Sequence, residues 1–114
     1  MAGLSRIVGA GGLAVVGLLA GLVFAGAAEQ GDAARGARLA QRWCASCHLV
    51  TPDQAKGAVD APSFMALARD PAKTAEGIAD FLTLPGTTHS KMPDLHLSRV
   101  EIVDIVAHIT SLKK

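Results

Sequence analysis

The apolar residues change pattern along the chain, and each change marks a boundary. From Ile7 to Ala28 there is no charged residue: the run is Gly, Ala, Val and Leu, preceded by Arg6 and ending in the small residues AGAA at 25–28. A positive start, an apolar stretch and a small-residue end predict a secretory signal peptide over 1–28, cleaved after Ala27 or Ala28. Left uncleaved, the same run is about long enough to span a bilayer as an anchor.

After Ala28 the spacing becomes helical. Ala33, Gly36, Ala37, Ala40, Leu39 and Trp43 form two adjoining apolar rows, with Arg35, Arg38 and Arg42 on the opposite, solvated side. This predicts a first helix from about Asp32, the N-cap, to Trp43. Residues 49–63 hold two prolines, a glycine and little periodicity, and read as a loop. A short helix is predicted at Phe64–Arg69. Another starts after Asp70-Pro71 or at Thr74 and runs to about Leu84, ended by Pro85-Gly86. Residues 85–97 form a second loop. The last helix is the clearest. Ser98 and Glu101 make a capping box, and Ile102, Ile105, Val106 and Ile109 follow the i, i+3, i+4, i+7 pattern. Glu101, Asp104, His108 and Ser111 mark its polar face. No stretch alternates as a strand does, so the domain at 29–114 is predicted all-α, with three to four helices and two long loops.

Composition sharpens this picture. Of 114 residues, 86 follow Ala28, and a domain so small usually needs a staple, a metal or a cofactor. There is one tryptophan, no tyrosine and three phenylalanines, a thin supply for a self-sufficient core. With Arg6 removed, ten basic residues face ten acidic ones. That balance, and the lack of stacking aromatics, give no support for nucleic-acid binding.

Both cysteines lie in WCASCHLV, residues 43–50, as Cys44-Ala-Ser-Cys47-His48. Export favours a disulfide, but one closing so small a ring stabilises little and leaves His48 without a purpose. A zinc site lacks its fourth ligand, and a thioredoxin-like pair lacks a strand–helix setting. C-x-x-C-H is the signature of covalent haem attachment: two thioethers to the haem vinyl groups and the next histidine as an axial ligand. A tethered haem also gives the small domain its centre. Met92 is the candidate for the other axial position, in a loop forty-four residues after His48. Its soft thioether raises the reduction potential relative to two histidines. Met65, His89 and His96 are the alternatives.

With these residues in hand, the chain from Gly31 onward resembles the class I (monohaem) cytochrome c family. The resemblance runs through the first helix, CASCH, APSF at 61–64, KMP at 91–93 and the amphipathic last helix. It implies a class I cytochrome c fold around one haem c bound through Cys44 and Cys47, with the N- and C-terminal helices crossing at Gly36. It also implies that the Pro62 carbonyl receives the second ring nitrogen of His48, and it supports Met92 as the sixth ligand. Leu84, Leu95, Leu97 and Phe64 are expected as pocket walls. Two positions depart from the family, which often has aromatic residues where this chain has Ala40 and His108. The implied function is that of a periplasmic or otherwise exported carrier, not an enzyme, which shuttles single electrons between redox proteins. It would be monomeric or transiently docked, with Lys56, Lys73 and Lys91 as candidate rim charges. The alternatives are a haem subunit dedicated to a dehydrogenase or oxidase, anchored if 7–28 persists, and a peroxidase-like or ligand-binding protein with a labile distal site.

Overall fold

The computed structural model describes residues 30–58, 60–85 and 91–114, with the isolated Gly3, Gly9 and Gly11. The predicted signal segment and His89 lie outside the described residues, apart from those three glycines. Four helices make up the described chain: α1 (Ala33–Trp43), α2 (Phe64–Arg69), α3 (Ala75–Thr83) and α4 (Arg99–Ser111). Among the described residues there is no strand, in keeping with the all-α expectation.

Each helix starts where a short polar side chain can accept from an otherwise unpaired N–H. Asp32 accepts from the Arg35 N–H at 2.9 Å, Ser63 from Ala66 at 3.0 Å and Thr74 from Gly77 at 3.0 Å. At α4 the capping box is complete: Ser98 Oγ accepts from the Glu101 N–H, and the Glu101 carboxylate accepts from the Ser98 N–H at 2.8 Å. The Ser98 N–H, foremost, and the Ser98 hydroxyl, also at 2.8 Å, both donate to the Glu101 carboxylate and hold its carboxyl below the usual range.

Helix α4 is the hub. It packs most extensively on α1 and also touches α3 and α2. The α1–α4 crossing is possible because α1 is stripped of side chain there. A Cβ on Gly36 would run into the Asp104 carbonyl, and one on Gly31 into the Val103 carbonyl. The core is small and mostly aliphatic: Ala40, Cys44, Val50, Phe64, Ile78, Leu82, Ile102, Ile105, Val106 and Ile109. Ile105 and Ile109 are almost wholly enclosed, each contributing about 1.5–3 kcal/mol by burial.

Two polar positions of α4 correct the sequence reading. Asp104, assigned to the polar face, is 1% exposed, because it faces the crossing. Its carboxylate accepts from the Asp32 N–H at 2.7 Å and is gripped by the Arg35 guanidinium, so Arg35 is not part of an unpartnered face. The Arg35 hydrogen bond holds the Asp104 carboxyl below its ordinary value. His108, expected to be exposed, is 5% exposed, and its Nε2–H donates to the Val50 carbonyl at 2.7 Å.

Candidate functional site

The helices leave a hollow between the CASCH turn and the loop that carries Met92. It is a cavity of about 920 Å³ whose wall includes Cys44, Cys47, His48, Pro62, Phe64, Ile78, Leu82, Met92, Leu95 and Ile109. That size and the mostly apolar lining suit a cofactor rather than a few waters. The predicted wall residues Phe64, Leu84 and Leu95 line it, whereas Leu97 faces a separate groove between α3 and α4. Lys73 and Lys91 reach its edge; Lys56 does not.

The CASCH segment leaves α1 as a continuing turn. The N–H groups of Cys47 and His48 both donate to the Cys44 carbonyl, at 3.2 and 2.9 Å. Both cysteines are free thiols, Cys44 buried and Cys47 exposed. Burial pushes the Cys44 thiol up to about 11. Two thiols about one turn apart therefore stand on one wall of the cavity, beside an imidazole.

The His48 ring is fixed. Its Nδ1 lies 2.6 Å from the Pro62 carbonyl, which can only accept, so Nδ1 carries the proton. The lone pair then sits on Nε2, the nitrogen left to bind a metal. The Phe64 ring packs against the imidazole at 5.6 Å between centroids. Met92 is partly buried and lines the same cavity. Met65 packs against the core instead and does not line it. His96 is turned away, its side chain 87% exposed and its Nδ1 3.3 Å from Asp94.

Free thiols at this spacing, an imidazole with an open Nε2 and an apolar hollow are what a covalently held haem requires. The family model described as cytochrome c oxidase, cbb3-type, subunit III matches residues 31–109. The chain belongs to this family of c-type cytochromes. It is also 51% identical over 82 residues to a cytochrome c-552 of Bradyrhizobium diazoefficiens, covering 72% of this chain and 76% of that protein. No solved structure matches the cytochrome significantly. As a monohaem cytochrome c it carries one covalently bound haem c, and it is an electron carrier rather than an enzyme. Its partners are redox proteins, and cytochromes of this family are typically exported. Among the described residues no helix is long and apolar enough to cross a membrane.

Sequence reasoning missed one side chain of this cytochrome's site. Gln54, in the loop after CASCH, bonds to the backbone of Ala45 before His48, of His48 itself and of Val50 after it. A lone glutamine in an aperiodic loop gives no signal in sequence.

Proposed function

We propose that the cytochrome transfers single electrons with its iron held between His48 Nε2 and Met92 Sδ, and its haem tethered through Cys44 and Cys47. Bound haem supplies the one-electron ferric–ferrous couple. The chain's own residues do the rest. His48 is oriented by Pro62, which raises the basicity of the imidazole. Met92 Sδ would be the second protein ligand to the iron, a soft donor that would favour the reduced state. The apolar walls keep water from the site. The observation that carries the reading is the 2.6 Å Nδ1–Pro62 bond, which leaves Nε2 free beside both thiols in a cavity that Met92 also lines.

Met92→Leu tests it. The weak sulfur-to-iron charge-transfer band is expected to vanish, the reduction potential to fall, and added imidazole or cyanide to bind. An unchanged band and potential would move the sixth ligand to another residue.

A mature domain beginning near residue 29, free in the periplasm, completes the reading, and the N-terminal residue of the purified protein decides it. The family's description favours a second reading, a haem subunit bound to one oxidase. Retention of residues 7–28 and co-purification with a membrane complex would support that one. Either partner would meet the cavity edge near CASCH, where Trp43 is 45% exposed with the Arg42 guanidinium 4.8 Å from its ring centroid. For the free carrier such an interface is small and transient.

A further inference from the structure

Four consecutive carbonyls at the site each accept from a group outside the CASCH motif. Cys47 O accepts from the Ala58 N–H at 2.7 Å and Leu49 O from the Phe64 N–H at 2.8 Å. Val50 O accepts from His108 at 2.7 Å, and His48 O from the Gln54 amide at 2.9 Å. Gln54 does more than its share. Its Nε2 also donates to Ala45 O at 3.0 Å and Lys56 O at 2.8 Å, while its Oε1 accepts from the Val50 N–H at 2.9 Å. The amide has one workable orientation, since a flip would set its oxygen against three carbonyls and its NH₂ against an N–H. Two hydrogens serve three acceptors, so one is shared. A glutamate could not replace it, because an ionised carboxylate has no donor.

We propose that Gln54 is a positioning residue for His48: by holding the Ala45 and His48 carbonyls together it fixes the backbone from which the imidazole reaches Pro62, and so sets the reduction potential. The inference rests on His48 being an axial ligand. The hydrogen bonds of Gln54 all go to backbone, none to the thiols or the imidazole. It acts through the peptide, and the Nδ1–Pro62 bond spans two loops that keep their spacing only while the His48 backbone is held.

Full-length protein, matured with haem in an exporting host, is compared as wild type, Q54M and Q54E. Methionine has the reach of glutamine without its hydrogen bonds. Glutamate keeps the acceptor for Val50 and loses both donors. Reduction potential is measured by equilibrium titration and the Val50 amide by hydrogen exchange. In Q54M the potential is expected to rise, because a looser Pro62 bond makes the imidazole less basic. Val50 is expected to exchange roughly tenfold faster, as for one lost hydrogen bond. The spectrum stays low-spin. In Q54E Val50 stays protected while the potential still departs from wild type. A wild-type potential in Q54M overturns the proposal even if the unfolding midpoint drops, since Gln54 would then only stitch the loop. If Q54M yields no holoprotein, a wild-type potential in Q54E overturns it equally. Loss of histidine-nitrogen coupling to iron in the wild-type magnetic resonance spectrum would overturn the His48 assignment and this inference with it; intact coupling with an unmoved potential sinks Gln54 alone.

Discussion

His108 sits where its ring joins three parts of the molecule: it donates to Val50, lies 6.0 Å from the Phe64 ring, and through Phe64 backs onto His48. Its burial could not be read locally. On a helical wheel it shares a face with Asp104 and Ser111, and the partner that makes burial affordable, the Val50 carbonyl, is 58 residues away in sequence. Asp104 was hidden for the same reason, since its partners lie 69 and 72 residues away. By contrast, CASCH and the helix caps were legible because their chemistry is complete within a few residues. His108→Phe is expected to keep the packing and orphan the Val50 carbonyl, costing about 1–3 kcal/mol. Guanidine unfolding of the haem-loaded protein measures this, and a variant as stable as wild type would show that the bond contributes nothing.

At the scale of elements, the helix boundaries were read nearly residue by residue, because apolar period and capping side chains agree at each start. The loops were located but not shaped. Their conformation comes from pairings such as Phe64 N–H to Leu49 O, which no local pattern encodes. The residues facing the α1–α4 crossing were visible only through Gly36. In an isolated helix Gly36→Ala would stabilise by about 1 kcal/mol. Here the new methyl meets the Asp104 backbone, which cannot yield as a side-chain tip would. Overpacking of this kind costs about 1–3 kcal/mol, so the crossing outweighs propensity and the sign reverses. A lowered thermal midpoint is the expected result; a raised one would mean the helices do not meet at Gly36.

For the molecule as a whole, acid is the informative perturbation. Asp104 has a folded-state pKa held below its ordinary value, chiefly by the Arg35 hydrogen bond. The sign follows directly: its contribution is complete above the unfolded carboxylate range, about pH 4, and is lost as pH falls through the lower folded value. Stability of the wild type should therefore drop in that acid window, and Asp104→Asn should flatten the drop while lowering stability at neutral pH. Unfolding followed at pH 3 to 7 checks both. Net charge and aromatic poverty gave no support for nucleic-acid binding, and the aromatic poverty signalled a core in need of filling; the cavity shows where. With so much of its centre hollow, the chain freed of haem is expected to lose fixed packing.

The crossing of α1 and α4 has a topological corollary. These are the first and last described helices, and the CASCH turn, Gln54, Pro62 and Met92 all lie on the chain between them. The domain is thus a ring closed by contact rather than by a covalent bond, and its clasp is the two glycines pressed on the α4 backbone. A cut at the exposed Lys56 would leave CASCH on one piece and Met92 on the other, yet both pieces would still be clasped together. The integrity of the electron-transfer site resides in the clasp more than in the continuity of the polypeptide.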